Sequence, residues 1–157
     1  MRLAQLLALS LIAFHTPAHA AAPDPRGVWL VEDKTGQIEI ESCGGVLWGI
    51  VVWERNTGHD TQNPDPSLRG RPTLGMPILL GMRPGGDAIW RGHIYNARDG
   101  STYEANIRPV DGDTLHLEGC VLGGLFCGGQ NWTRVKAPGS ARGTADVCAA
   151  ARGVHGY

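Results

Sequence analysis

This chain is short of three things: long apolar runs, charge of one sign and recognisable catalytic motifs. After residue 14, no stretch reaches the ~20 apolar residues a membrane-spanning helix needs. Formal net charge is −1, with acidic and basic residues interspersed. No basic stripe exists to attract nucleic acid or an anionic membrane surface. G-x-S-x-G, H-E-x-x-H and phosphate-loop patterns are all missing, so nothing marks an enzyme. No two cysteines stand at Cys-x-x-Cys spacing, which disfavours a thioredoxin-like redox site or a zinc knuckle. Phenylalanine occurs twice, and Lys34 and Lys136 are the only lysines.

What is abundant is glycine (23) with five tryptophans, a composition suited to tight turns and a few large aromatic anchors. Residues 1–20 read as a secretory signal peptide. Arg2 precedes the short apolar run LAQLLALSLIAF, and Ala18-His19-Ala20 is a small-x-small cleavage site. Cleavage leaves about 137 residues, enough for one domain that buries roughly two-thirds of its surface. The expected compartment is periplasmic or extracellular. There the four cysteines Cys43, Cys120, Cys127 and Cys148 suggest disulfides, with three pairings open.

Period-2 alternation and turn signals give eight short strands over residues 21–135. They run 27–33, 37–42, 46–54, 76–82, 87–95, 101–109, 113–120 and 127–135. QIEIES sets Ile38 and Ile40 against Glu39 and Glu41, and DTLHLEGC sets Leu115 and Leu117 against His116 and Glu118. VLWGIVVWE is apolar on both faces and must be covered on both. Short turns between neighbouring strands predict an all-β, antiparallel up-and-down meander. Eight such strands can close into a barrel, with an open sandwich as the alternative. Residues 136–157 read as a linker and a tail bearing a short helix, TADVCAAAR, ended by Gly153.

HDTQNPDPSLRGRP, residues 59–72, is the exception: polar, rich in proline and poor in anything to bury. Asp60, Asn63 and Asp65 invite a calcium reading, but the order of an EF-hand loop is missing. The prolines argue for an ordered loop, a brace or a gate beside the barrel mouth. In the gate reading Arg69 and Arg71 meet an anionic head group. His59 beside Asp60 is a dyad by sequence alone. No metal or cofactor is expected.

Gly27-Val28-Trp29 in the first strand and Trp132-Thr133-Arg134 in the last resemble the signature of lipocalin-like, or calycin, barrels. That resemblance implies Trp29 packed at the barrel base with Arg134 over it, a cation–π contact. The succession GVWLVED, IEIESCGGVLWGIVVW, DTQNPDPSLRGRPTLGMPIL, IYNARDGSTYEANI, LEGCVLGGLFCGGQNWTRV resembles the domain-of-unknown-function family 2147. It covers about residues 26–135 and implies a secreted or periplasmic lipocalin-like barrel, with no particular activity. The family pattern often reads Cys-Gly-x-x-Leu-Cys-Gly, whereas here Trp48 replaces the second cysteine. Cys43 then needs another partner. Cys120 and Cys127 flank one hairpin turn, which leaves Cys43 for Cys148.

The function expected is binding of a small apolar or amphipathic ligand, with Trp48, Trp53 and Trp90 joining Arg69 and Arg71 as candidate contacts. The alternative is a filled barrel acting through its surface on an envelope protein.

Overall fold

The computed structural model describes residues 23–121, 123–136, 144–154 and 156. The signal peptide expected over 1–20 and the linker Ala137-Pro138-Gly139-Ser140 lie outside the described residues. Eight strands follow in chain order: β1 (Gly27–Leu30), β2 (Gly36–Cys43), β3 (Val46–Glu54), β4 (Pro77–Pro84), β5 (Trp90–Asn96), β6 (Ser101–Pro109), β7 (Thr114–Val121) and β8 (Phe126–Arg134). Each pairs antiparallel with the next, and β8 returns to β1, so the sheet closes as a barrel rather than opening as a sandwich. One helix follows, α1 (Thr144–Arg152). Two strand limits differ by three residues from the sequence reading, and the others agree within two. β1 ends at Leu30, not residue 33, and β5 starts at Trp90, not residue 87. Asp87 and Ala88 hold φ of 51° and 59°, a left-handed pair that cannot continue a strand.

Closure is narrow. β1 and β8 share two register pairs, Trp29 with Arg134 and Leu30 with Thr133. The Arg134 guanidinium lies 4.1 Å from the Trp29 ring centre. It donates from Nη1 to the Arg26 carbonyl at 2.7 Å, from Nη2 to the Asp24 carbonyl at 2.6 Å, and from Nε to the Gly112 carbonyl. The Trp29 indole N–H donates to the Pro25 carbonyl at 2.8 Å. Gly27 explains the glycine of the first motif. Its φ is 118°, and a Cβ there would stand 2.7 Å from Arg134 Nη1. Any side chain at 27 would both strain the backbone and displace the guanidinium.

Alternation sorts the apolar residues into two cores. Trp29, Ile40, Leu47, Leu79, Met82, Ile107 and Leu115 fill the end of the barrel nearest the chain entry, and each is 2% exposed or less. Outside the barrel, Trp48, Ile50, Leu80 and Tyr95 form a second core with Met76 and with Val147 and Ala151 of α1. This is why β3 reads apolar on both faces: one face lines the barrel and the other lies under the helix. Cys43 is joined to Cys148, which pins α1 to the end of β2. Cross-linking residues 105 apart removes unfolded-state entropy worth about 4–5 kcal/mol in the chain-entropy account. Cys120 is joined to Cys127 across β7 and β8, a register pair of the barrel wall.

Glu39 is the cost of this arrangement. It points outward from β2, yet the cover over that face leaves it 6% exposed, with Oε2 lacking a hydrogen-bond partner among the described residues. Burial pushes its carboxyl above the ordinary range, helped by the neighbouring charges of Glu41 and of Asp146 on α1.

Trp29→Ala is expected to lower unfolding stability by ~3–5 kcal/mol, a large-to-small change at a fully buried site. Arg134→Lys should recover little of the loss from Arg134→Ala. Three carbonyls are met by three different guanidinium nitrogens, and an ammonium cannot span them. Urea denaturation of the three variants checks this; wild-type midpoints throughout would remove the closure from its central place.

Candidate binding cavity

The end of the barrel away from the chain entry is open. A cavity of about 1040 Å³ enters there. Its walls are Ile38, Val51, Ile94 and Leu117 from four strands, and Trp132 stands at the floor. The two expectations for the interior, packed or empty, each hold for one half of the barrel. Glycines in the strands divide in the same way. A Cβ at Gly49 would meet Leu79 and Ile38 at 3.0–3.1 Å, and one at Gly92 would meet Met82 and the Leu80 carbonyl at 2.7 Å. Those two admit bulky neighbours. Gly119 lines the cavity and meets nothing nearer than Ile94 at 3.7 Å, so it adds space.

The rim is polar. Glu32 and Asp33 come from the β1–β2 loop, Glu54 from the end of β3, His59 from the long loop, and Arg98 from the β5–β6 turn. Arg98 Nη2 meets Asp33 Oδ2 at 3.0 Å, linking two loops on different sides of the mouth. Asp33 stays below the usual carboxylate range because Thr35 donates to it from its hydroxyl; burial opposes this, and Arg98 adds to it. Glu54 accepts from the Thr73 hydroxyl at 2.9 Å.

None of the five candidate contacts lines this cavity. Trp48 lies on the outer face, buried beneath α1. Trp53 would face inward on strict alternation from Leu47, Gly49 and Val51. The register slips between Gln37 and Ile38, which pair with Trp53 and Val51, so Val52 is the extra residue of a bulge. Trp53 therefore turns outward at 41% exposure, and Glu54 takes the inward place at the rim. Trp90 does point into the barrel, but beside Ile107 in the packed half. Arg69 and Arg71 are spent elsewhere. The sequence did mark Ile38 and Leu117 as inward. Trp132 it marked only as a closure residue, and the rim carboxylates carried no pattern beyond their position at strand ends.

The long loop folds against the outside of the barrel, and its ends alone edge the mouth. Asp60 is its anchor, with no exposed surface. It accepts from the Tyr95 hydroxyl at 2.6 Å, from Asn63 Nδ2 at 2.7 Å and from Arg71 Nε at 2.9 Å, and it pairs with Arg71 Nη2 at 2.8 Å. Asp65 is not aimed at the same point; it caps the short turn Pro66–Leu68 through Ser67. Asn63 Oδ1 accepts from the Asp65 N–H, and Arg69 Nε donates to the Asn63 carbonyl at 2.8 Å. The side-chain oxygens that suggested calcium thus already hold the Arg71 guanidinium and five neutral donors. The loop also sits on the β5–β6 turn. Gly100 (φ 72°) lies so near the Gln62 carbonyl that a Cβ would collide with it.

Burial alone would raise the Asp60 carboxyl. The hydrogen bonds from Tyr95, Asn63 and Arg71 and the Arg71 charge outweigh it and hold the group below its ordinary range. Burial, then the bond to Asp60, pushes the Tyr95 hydroxyl up to about 12. The signs follow. Asp60 stabilises the loop above the unfolded value near ~4, and that contribution is lost as pH falls through its lower folded value. Tyr95 contributes fully below its unfolded value of ~10 and loses its contribution as pH rises towards about 12. Amide protection factors of residues 60–71, corrected for the intrinsic pH dependence of exchange, should therefore fall at both extremes. Tyr95→Phe should remove the alkaline limb and keep the acid one; an unchanged alkaline limb would show that this hydroxyl does not hold the loop.

Among the described residues, no helix is long and apolar enough to cross a membrane. No curated protein matches the chain. Among solved structures, a protein of Helicobacter pylori, HP1028, described as belonging to the lipocalin family, superposes with a TM-score of 0.67 at 20% identity, over 73% of this chain and 84% of that one. The likeness establishes the lipocalin-like barrel. Residues 27–134 match the family model described as an uncharacterized protein conserved in bacteria (DUF2147), and the chain belongs to that family.

Proposed function

We propose that the protein is a non-enzymatic binding protein, exported from the cell, that holds a small apolar or amphipathic molecule in the open half of the barrel. The cavity carries this reading. About 1040 Å³ exceeds what one or two waters occupy and suits a drug-sized ligand, with apolar walls and a polar rim to orient it. The signal-like segment and two disulfides support export. Of the five tryptophans, Trp132 alone borders the cavity, so an occupant should report through it. A ten-carbon amphiphile should quench tryptophan emission saturably, with micromolar affinity near ~−8 kcal/mol. Trp132→Phe should abolish most of the quench, while calorimetry still detects the probe. No saturable binding by either method, across a series of chain lengths, would overturn the reading.

One feature favours a second reading, contact with an envelope protein partner. The tip of the β7–β8 hairpin is apolar and exposed: Val121 at 38%, Leu125 at 77% and Phe126 at 65%. Residues 119–130 contain no charged side chain, and the Cys120–Cys127 bridge fixes the base of the tip. Leu125→Ser, at a position outside the cavity lining, should leave melting and probe binding unchanged. On this reading it should also abolish cross-linking of the pure protein to envelope proteins. Identical cross-linking by variant and wild type would remove it.

A further inference from the structure

We propose that the ligand the cavity accommodates carries a cationic head group, a single-chain amine or quaternary ammonium rather than a fatty acid. This rests on the reading of the cavity as a binding site. Among the described residues, four formally charged side chains line it: Glu32, Asp33, Glu54 and Arg98, three carboxylates against one guanidinium. With His59 neutral the wall is formally −2.

The single guanidinium is already engaged, since Arg98 pairs with Asp33 at 3.0 Å. Of the remaining carboxylates, Glu54 has a neutral hydroxyl as its partner. Glu32 accepts a hydrogen bond from the Asn131 backbone N–H at 3.5 Å and, among the described residues, forms no ion pair. Lys34 and Arg55 stand near the rim but do not line the cavity. The arginines that would suit an anionic head group, Arg69 and Arg71, are held in the loop brace on the outer side. An anionic head seated at the mouth would face two carboxylates without a cation of its own. A cationic head would gain both, with its chain among Ile38, Val51, Ile94 and Leu117 in the low-dielectric half, where a like-charge encounter is most costly.

Three ten-carbon probes below their micelle concentrations decide it: decyltrimethylammonium, decanoate and the neutral decyl maltoside, titrated at low and high salt. The expected order is cationic, then neutral, then anionic, with about tenfold between the extremes at low ionic strength and a narrowing gap in 0.5 M salt as the rim charges are screened. Glu32→Gln with Glu54→Gln should bring the cationic probe to the level of the neutral one, whose unchanged affinity shows that the variant is folded. If that variant does not fold, the wild-type order and its salt dependence decide alone. Equal affinities, or decanoate binding best, overturn the cationic assignment while leaving the cavity reading intact. Failure of all three probes to bind overturns both.

Discussion

The barrel depends on Arg134. Seven of the strand junctions join consecutive strands, six through short turns and one through the long loop, but the eighth joins the first strand to the last across the whole sequence. β1 has four residues and shares two register pairs with β8. So short a ladder closes the sheet because one side chain reinforces it at several points. The guanidinium stacks on Trp29 and takes carbonyls from the entering chain and from the β6–β7 turn. Gly27 is bare so that this can happen. Everything enclosed by the barrel, packed half and open half alike, presupposes that seam.

Closure was legible because its residues are unusual: a Gly two places before a Trp, and a Trp-x-Arg at the far end. Strand number and order were legible as well, since alternation and turn chemistry are local. The side of the sheet each residue occupies was legible only where alternation is strict. β2 and β7 keep strict phase, and Ile38, Ile40, Leu115 and Leu117 point inward as their pattern demands. β3 does not, because Val52 is an extra residue that sequence cannot distinguish from its neighbours. One bulge exchanges the positions of Trp53 and Glu54, so an aromatic expected at the site leaves it and a carboxylate enters. Trp48 misled for a different reason. An apolar residue on the outer phase of a barrel strand gives no hint of its cover until the tail helix is known to fold back, and Cys43–Cys148 is what returns it.

The long loop shows how the same residues can carry two chemistries on paper and one in space. Asp60, Asn63 and Asp65 have the oxygen content of a cation site, and Arg71 eleven residues after Asp60 has the charge of an anion site. Folded together they neutralise each other. A carboxylate with no solvent contact requires a cation and donors for each oxygen, and Arg71, Tyr95 and Asn63 supply them. Once that requirement is met, neither ion is left for an outside partner. Tyr95 matters doubly, because its ring belongs to the outer core and its hydroxyl to the loop. The brace is therefore tied to the same layer of packing that seats α1.

The charge left at the mouth follows from that internal pairing. A chain with a formal charge near zero can still present a one-signed rim if its cations are consumed in structural work elsewhere. Arg134 is fixed at the seam, Arg69 and Arg71 in the loop, and Arg98 by Asp33. Glu32 and Glu54 have no comparable demand on them. Glu32 and Glu54 stand at strand ends because the bulge in β3 and the early end of β1 leave them there, and no buried cation needs either one. The electrostatic character of the opening is thus set by how the arginines close and brace the barrel, at places distant from the cavity itself.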